Sequence, residues 1–380
     1  MASVYVPGLQ GIVAARTRLS KVDGRKGELV IAGYPLEEIA GRATFEEMVF
    51  LLWNDRLPNG RELGAFRAEL AALRDLPAIT RDVLDAAAAQ KLPAMDALRM
   101  AAGTLSLRAD GETVPDGPYR DALVCVARFA TIVASYGRLL AGEGPIAPHH
   151  GLSHAANYLY MLKGARPSEA RARALETYLN TVIDHGLNAS TFTARVIVST
   201  ESDVISAIVG AIGALKGPLH GGAPGPALDM VFEIRQAANA EPFMRVKLER
   251  GERLMGFGHR VYKVRDPRAD VLSRAAEELF RADGDVQLYE LAREVERVAL
   301  RLLDEYKPGR NLRTNVEFFT ALVLHGLGIP VDLFTPTFAV SRVAGWAAHC
   351  LEQLSANRII RPESEYTGDT TRQWVPPDGR

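Results

Sequence analysis

Apolar residues recur every three to four positions along most of the chain, a spacing that places them on one face of a helix. The first such run lies at 45–52, and Thr44 before it is a suitable N-terminal cap. Further helices are predicted at 61–75, 79–90, 93–107, 119–139, 151–163, 167–184, 190–199, 203–215, 226–239, 268–282, 286–305, 316–326 and 336–356. Almost no segment after residue 40 alternates with a period of two, so the sequence predicts a mainly α fold.

The first 34 residues follow a different pattern. Five glycines separate short apolar runs at 12–15 and 29–31. Short runs divided by glycines are typical of short strands joined by turns. We therefore expect a short N-terminal β segment before the helices begin.

Two irregular segments suggest a division into domains. Residues 217–225 are rich in glycine and proline, whereas 307–315 are basic, and the stretch between them carries more charge than the rest of the chain. We expect a large, discontinuous helical domain formed by 1–217 and 326–380. A small helical domain, 218–325, would be inserted into it.

Composition narrows the class of protein. The chain has 380 residues, of which 47% are hydrophobic and 24% charged, and its net charge is −1. These values are typical of a globular protein, and the balanced charge argues against general binding to nucleic acid or an anionic membrane. The longest uncharged apolar run, 204–215, is too short to span a bilayer, and residues 1–11 lack the features of a signal peptide. Two cysteines, Cys125 and Cys350, are too few for a disulfide framework, so a cytoplasmic protein is expected.

Several common site motifs are absent from the sequence. It has no phosphate-binding loop, no complete dinucleotide-binding glycine motif and no Cys-x-x-Cys pair. His150 and His154 have the spacing of metal ligands on a helix, but no third ligand lies nearby, so neither a metal nor another cofactor is predicted. Residues 151–154 lack the closing glycine of a nucleophile elbow, which argues against a serine hydrolase.

Two histidines lie in glycine-rich, irregular surroundings. His220 precedes a predicted helix, whose N-terminus disfavours a protonated imidazole, so a neutral ring could donate to a developing oxyanion. The alternative is a histidine that caps its own turn. His259 lies close to Lys263 and Arg268 in a locally cationic segment that would suit a polyanionic small molecule. A solvated charged loop is the alternative there.

Arg342 and Glu317 are charged residues in apolar contexts. On a helix, Arg342 shares a face with Ala339 and Trp346, and a buried guanidinium requires an anion, either a protein carboxylate or a bound dicarboxylate. Glu317 follows Asn315, a plausible N-cap, and precedes two phenylalanines. It could simply favour the helix dipole, or it could have a raised pKa and act as a base. His185 separates two predicted helices, and a structural role is the default for it.

Six segments in this order resemble the citrate synthase family. They read HGLNAST (185–191), GPLHGGA (217–223), GFGHRVY (256–262), DPR (266–268), NVEF (315–318) and FAVSRVAGW (338–346). The opening GLQGI (8–12) and the closing RPESEYTG (361–368) also fit, so the match is collinear over nearly the whole chain. The resemblance implies a two-domain, mostly helical fold and an intimate homodimer, as in the shorter members of the family. It also implies condensation of acetyl-CoA with oxaloacetate to give citrate and CoA. The CoA thioester would be a co-substrate, and no cofactor is implied.

The resemblance also implies roles for individual residues. Glu317 would remove a methyl proton from the thioester, His220 would donate to the thioester oxygen, and His259 would polarise the oxaloacetate ketone. Oxaloacetate would be held by His185, His259, Arg268, Arg342 and, from the partner subunit, Arg361. CoA would be held by Gly256, Phe257, Gly258, Lys263, Lys307 and Arg313.

One position departs from the family pattern, because Glu317 stands where the family usually has aspartate. One extra methylene moves a carboxylate by roughly 1 Å, and a misplacement of that size can cost on the order of 100-fold in rate. Two alternatives remain open from the sequence. One is a 2-methylcitrate synthase that uses propionyl-CoA, and the other is a non-catalytic sensor of CoA or a metabolite on the same scaffold.

Overall fold

The structure is a computed structural model that describes residues 5–221, 225–259 and 261–379. These residues form sixteen α-helices and one small sheet, so the predicted mainly α fold is confirmed. The first eight helices are α1 (Leu36–Ile39), α2 (Phe45–Asn54), α3 (Gly60–Ala72), α4 (Ala78–Ala89), α5 (Ala94–Gly103), α6 (Pro118–Leu140), α7 (His154–Lys163) and α8 (Glu169–Val182). The others are α9 (Ala189–Val198), α10 (Val204–Leu215), α11 (Gly225–Ile234), α12 (Ala240–Glu249), α13 (Pro267–Asp283), α14 (Val286–Tyr306), α15 (Val316–Gly326) and α16 (Phe334–Ser355).

The sheet precedes the helices, as the glycine pattern predicted. Strands β1 (Ser20–Asp23), β2 (Glu28–Ile31) and β3 (Tyr34–Pro35) are antiparallel in the order β1-β2-β3. Gly27 has a φ of +72° in the turn between the first two strands, a backbone conformation that glycine adopts without strain. The buried side chains of β2 join this sheet to the helical core.

Local capping explains where many helices begin. Thr44 and Glu47 form a reciprocal capping box at α2, and the side chains of Asn188 and Asp203 cap α9 and α10. The prediction of one helix over 226–239 was wrong at its end. Arg235 has a φ of +61°, which ends α11, and a separate helix, α12, follows at Ala240.

Helix α6 lies in the core. It is the one helix of the described residues that is long and apolar enough to cross a membrane by length and composition, yet 78% of its apolar window is buried inside the molecule. It packs against α5, α7 and α16. Two arginines, Arg120 and Arg128, interrupt its apolar sequence, and both donate to the buried carboxylate of Glu112. Burial against several helices therefore accounts for its apolar composition.

The C-terminal end of α15 is held by cations from two other helices. Lys163, the last residue of α7, donates its Nζ to the carbonyl of Gly328. Arg171 of α8 donates Nη2 to the carbonyl of Leu327 at 2.7 Å. Carbonyls at a helix C-terminus lack partners within the helix and carry partial negative charge, so these two cations stabilise that end of α15.

Candidate active site

A cavity of about 980 Å³ lies where α8, α9, α13, α15 and α16 meet. Its wall includes residues from both predicted domains. Some belong to 1–217 and 326–380, and the others belong to 218–325. Seven of the predicted site residues line it: His185, His220, Gly258, His259, Arg268, Glu317 and Arg342. Residues more than 150 positions apart in sequence thus meet in one space.

Three of the residues predicted to bind CoA lie next to this cavity and not in its wall. Gly256 accepts a hydrogen bond from the amide of Asn315 at 3.0 Å, and the ring of Phe257 packs 5.4 Å from that of Phe318. Lys263 is exposed and its amide donates to the carbonyl of Gly24 at 2.7 Å. Residues 256–263 are therefore packed beside the cavity, and Gly258 and His259 within them reach its wall.

The remaining predicted residues lie farther along the chain. Arg313 pairs with Asp304 at 2.7 Å, and Lys307 is half-buried at the end of α14. Arg361 is exposed in the extended C-terminal segment and does not line the cavity of its own chain.

His220 is oriented by Ser190 at the start of α9. The amide of Ser190 donates to His220 Nε2 at 3.4 Å, and the hydroxyl of Ser190 lies 2.7 Å from the same nitrogen. Trp346 Nε1 donates to that hydroxyl oxygen at 3.1 Å. Because a backbone amide can only donate, Nε2 accepts from the amide of Ser190 and the proton of the neutral ring lies on Nδ1, whereas the Ser190 hydroxyl donates to Asn188 Oδ1 at 2.8 Å. Burial first, and the charge of Arg342 second, lower the pKa of His220 to about 4, which keeps it a neutral donor.

His259 is fixed by its own turn. The amides of Val261 and Tyr262 donate to its Nδ1 at 3.0 and 3.1 Å, so the ring proton lies on Nε2. That nitrogen lies 3.4 Å from Nη2 of Arg268, which can only donate. Burial and then Arg268 lower the pKa of His259 to about 4. Two N–H groups this close together in the cavity wall suit a ligand oxygen that contacts both.

His185 lies in the turn between α8 and α9. Its Nε2 is 3.1 Å from the hydroxyl of Tyr262, and its ring meets that of His259 edge-on at 6.0 Å. Burial, followed by the charges of Arg268 and Arg342, lowers its pKa well below the usual value. His185 is therefore more than a structural residue of the turn, because its neutral ring lines the cavity together with Arg268 and Arg342.

Arg342 is buried on α16 with only 2% of its surface exposed. Its Nε donates to the carbonyl of Val182 at 2.7 Å, and its guanidinium lies over the ring of Phe338 at 4.5 Å. Across the described residues, no carboxylate lies within ion-pair distance of it. Burial lowers its pKa to about 10, so it stays charged at neutral pH but lacks a direct counterion. Its outer nitrogens are therefore suited to bind an anion from the cavity.

Glu317 lies in the first turn of α15. The side chain of Asn315 accepts from the amide of Glu317 at 2.9 Å and donates to the carbonyl of Gly258 at 2.9 Å. The predicted N-cap is thus present, and it also ties α15 to the glycine loop. Burial raises the pKa of Glu317 above its usual value, and Arg268 opposes this shift. A carboxylate with a raised pKa is a stronger base than an exposed one.

Two further residues were not predicted. Asp266 caps α13 through the amide of Arg268 at 3.0 Å, pairs with its guanidinium at 2.8 Å and accepts from the amide of Val316 at 3.2 Å. It therefore holds the beginnings of α13 and α15 together. Its position before a proline was the sequence signal for a cap. Arg253 also lines the cavity, but nothing in its local sequence distinguishes it.

The described residues contain no group of three or more His, Cys, Asp or Glu side chains arranged to hold a metal ion. His154 begins α7, whereas His150 lies before the helix and contacts the carbonyl of Ala71 through Nδ1. The two therefore do not share a helix face, although their spacing suggested it.

The cavity combines complementary chemistry. It contains one carboxylate suited to remove a proton, Glu317, and two neutral imidazole donors, His220 and His259. Two buried guanidiniums, Arg268 and Arg342, add positive charge. Removal of a weakly acidic proton next to a carbonyl requires a base and, at the same time, a donor to the oxygen that gains charge. The arginines suit a substrate with two carboxylates.

Comparisons with known proteins give consistent results. The family model described as "Citrate synthase, C-terminal domain" matches residues 8–363. The chain is 43% identical over 380 residues to a citrate synthase from Haloferax volcanii, covering 98% of each protein. It is also 39% identical over 372 residues to a 2-methylcitrate synthase from Mycobacterium tuberculosis, covering 96% of this chain and 91% of that one.

The fold has a close counterpart among solved structures. A citrate synthase from Thermoplasma acidophilum, in ternary complex with carboxymethyl coenzyme A and oxaloacetate, superposes with a TM-score of 0.85. The two chains are 31% identical, and the match covers 98% of each. The similarity thus extends over whole chains in both sequence and fold.

Proposed function

Because this chain belongs to the citrate synthase family of acyltransferases, we propose that it condenses acetyl-CoA with oxaloacetate and water to give citrate and CoA. The observation that carries the proposal is the set of side chains in one cavity. A buried carboxylate, two imidazoles with defined donor nitrogens and two buried guanidiniums line the same space. The relative from Thermoplasma acidophilum binds a CoA analogue together with oxaloacetate, which supports the choice of substrates.

Oxaloacetate is assigned to the positively charged end of the cavity. Arg342 would bind one carboxylate through its outer nitrogens. Arg268 would bind the other through Nη1 and the N–H of Nη2 that its pairing with Asp266 leaves open. His259 Nε2 would donate to the ketone oxygen, because it lies in the cavity wall 3.4 Å from Arg268 Nη2. His185 would complete this end as a neutral neighbour of both arginines. Guanidiniums suit the task since they remain charged and bind carboxylates in a bidentate manner.

The acetyl group is assigned to the space between Glu317 and His220. Glu317 would take a proton from the methyl carbon while His220 Nδ1 donates to the thioester oxygen, giving an enol. The methyl carbon of the enol would then attack the ketone carbon of oxaloacetate, while the enol proton returns to His220 and the ketone oxygen takes a proton from His259, forming citryl-CoA. The proton held by Glu317 would restore His259. Water would hydrolyse that thioester to release citrate and CoA. Every step uses side chains of the protein and the two substrates, so we propose that no metal or other cofactor takes part.

CoA itself is assigned to the rim of the cavity. Gly256, Phe257 and Gly258 would face the adenine, and the cations around them would meet the phosphates. Those cations are Lys263, Lys307, Arg313 and Arg253, of which Arg253 lines the cavity. We further propose that 218–325 is a small domain that closes on the large one, because the cavity wall is made of residues from both.

A homodimer is proposed, with Arg361 completing the site of the partner. Arg361 lies in an extended segment that leaves its own cavity. The same segment exposes Ile359, Tyr366 and Trp374, with 58%, 70% and 78% of their surfaces accessible. Large apolar side chains in an extended arm favour burial on another copy. A cytoplasmic location is proposed as well, since both cysteines are buried free thiols.

A second candidate is 2-methylcitrate synthesis from propionyl-CoA. The similarity of 39% to an enzyme with that name favours it, and the same catalytic residues would serve. One methylene in an apolar pocket changes specificity by only about 10- to 200-fold. A non-catalytic sensor is less well supported, because the buried carboxylate and both imidazole donors are in place.

The proposal is tested by measuring thiol release from acetyl-CoA and propionyl-CoA, with and without oxaloacetate. Wild-type protein should release thiol only with oxaloacetate, and the preferred thioester identifies the reaction. Glu317→Gln should abolish release while still binding oxaloacetate, and Glu317→Asp should retain a fraction on the order of 1% to 100%. Binding of both substrates without release from wild type would instead support the sensor.

A further inference from the structure

We propose that Asp184 is the counterion of Arg342, and that His349 is a positioning residue that keeps Asp184 away from the guanidinium nitrogens. The substrate carboxylate can then bind a charged and open Arg342. This inference rests on the proposed function, in which Arg342 binds oxaloacetate. It concerns two buried residues outside the cavity wall.

One face of α16 brings these groups together. Arg342, Gly345 and His349 are separated by three and four positions, so they lie along the same side of the helix. A Cβ added to Gly345 would lie 2.3 Å from the carbonyl oxygen of Ile183 and 3.1 Å from Asp184 Oδ1. The helix backbone therefore lies directly against Ile183 and Asp184. This places Asp184 between Arg342 and His349.

The hydrogen bonds around His349 have a defined direction. Arg195 Nε donates to His349 Nδ1 at 2.9 Å, so that nitrogen carries a lone pair and the ring N–H lies at Nε2. His349 Nε2 is 3.2 Å from Asp184 Oδ1. His349 and Asp184 are fully buried. The two atoms are in close contact without hydrogen-bond geometry, and neither has a hydrogen-bond partner among the described residues.

The second oxygen of Asp184 is held from the opposite side. Ser20 donates its hydroxyl to Asp184 Oδ2, and the amide of Gly186 donates to the Ser20 oxygen at 2.8 Å. Asp184 is thus hydrogen-bonded by Ser20 at Oδ2 and in contact with His349 at Oδ1. Because Gly186 follows His185, the same contacts also fix the turn that carries His185.

The effect on Arg342 is electrostatic and acts through space. Burial is the main influence on this guanidinium, and Asp184 is the carboxylate that most stabilises its charge. A carboxylate in direct bidentate contact would occupy the nitrogens that an anionic ligand needs. With Asp184 held by Ser20 and His349, the charge is compensated and the nitrogens stay open.

The test compares oxaloacetate affinity, measured by calorimetry, in wild type and two variants. His349→Leu removes the hydrogen bond with Arg195 and the polar contact with Asp184, and it should weaken binding by roughly ten-fold or more, because Asp184 can then turn toward Arg342. His349→Gln should remain within about three-fold of wild type, since its amide oxygen can accept from Arg195 and its NH₂ can donate to Asp184. Thr337→Val is the matched control, a buried polar residue on the same helix outside the cavity wall, and it should leave affinity unchanged.

A second substitution separates positioning from simple damage. In the His349→Leu background, Asp184→Asn should recover part of the lost affinity, because a neutral amide does not compete with the substrate for Arg342. A merely structural role predicts that the double variant binds no better than His349→Leu, and that result would overturn the proposal. If His349→Leu does not fold, Ser20→Ala releases the other oxygen of Asp184 and gives the same test.

The outcomes also distinguish this inference from the proposed function. Wild type that fails to bind oxaloacetate would count against the function itself. Wild type that binds oxaloacetate, with equal affinity in His349→Leu or Ser20→Ala, would count only against the positioning role.

Discussion

At the scale of single residues, burial selects the protonation states that the site needs. Glu317 has a raised pKa, while His220 and His259 have pKa values lowered to about 4. Above pH 6 both imidazoles are therefore neutral donors, and the carboxylate of Glu317 is the group that titrates on the acidic side. The proposed base and its proposed oxygen donors are thus in the required protonation states in the same pH range.

The pH dependence of activity follows from these directions. Protonation of Glu317 removes the base, so kcat/KM should fall as the pH falls through its raised pKa. The midpoint of that acidic limb should lie above 4.5, the ordinary value for a glutamate. Initial rates between pH 4 and 8, with an independent check that the protein stays folded, measure it. A midpoint at or below 4.5 would show that Glu317 is not the titrating base.

Ser190 determines which nitrogen of His220 carries the proton. Ser190→Ala removes the hydroxyl that lies 2.7 Å from Nε2, so the ring is held by the amide of residue 190 alone and kcat should fall by about 10- to 100-fold. Steady-state kinetics check this, together with thermal unfolding. Thr193→Ala serves as the control, because Thr193 lies on the same helix outside the cavity wall and its hydroxyl donates to a backbone carbonyl. Equal losses in both variants would rule out a specific role for Ser190.

At the scale of elements, close approach of α16 to the turn before α9 depends on Gly345. Gly345→Ala places a methyl group 2.3 Å from the carbonyl of Ile183, so the helix or the turn must shift. We expect a loss of about 1–3 kcal/mol in the free energy of unfolding and weaker oxaloacetate binding. Gly213→Ala is the control, since a Cβ at Gly213 meets no atom within 4 Å and the change removes a flexible residue from α10. Denaturant unfolding of both variants decides between them.

Helices could be predicted from sequence where local signals were strong. Caps such as Thr44 and Asn315 act on amides two or three residues away, so their effect is visible in a short window. The end of α11 was missed because Arg235 adopts a left-handed conformation that its residue type does not announce. The beginning of α12 follows from that break.

The site was predictable to a similar extent. His220, His259, Glu317 and Arg342 stood out because each has an unusual local context. Asp184 and His349 did not, because their roles come from contacts across 165 positions of sequence. Such contacts depend on how α16 packs against the turn after α8, which no local pattern encodes.

At the scale of the whole molecule, the proposed dimer predicts complementation between two inactive variants. Glu317→Gln lacks the base, and Arg361→Leu lacks the residue proposed to reach the partner's site. In a mixed dimer, one site would combine Glu317 of one chain with Arg361 of the other. Random exchange of subunits should therefore restore about a quarter of the wild-type sites.

The measurement is citrate-forming activity after the two purified variants are unfolded together and refolded. Each variant refolded alone is the control and should stay at its own low activity. Activity in the mixture that does not exceed the average of the two would mean that Arg361 does not act across an interface.

The two hydrogen bonds at the C-terminal end of α15 allow this helix to act as a lever. Lys163 and Arg171 fix its C-terminal carbonyls, so that end is the fulcrum and Glu317 lies near the free end. Eleven residues at about 1.5 Å each make an arm of roughly 16 Å. A tilt of only about 4° would then carry the carboxylate through roughly 1 Å, a distance that can change a rate on the order of 100-fold. Small rotations of one helix are therefore enough to engage or withdraw the base.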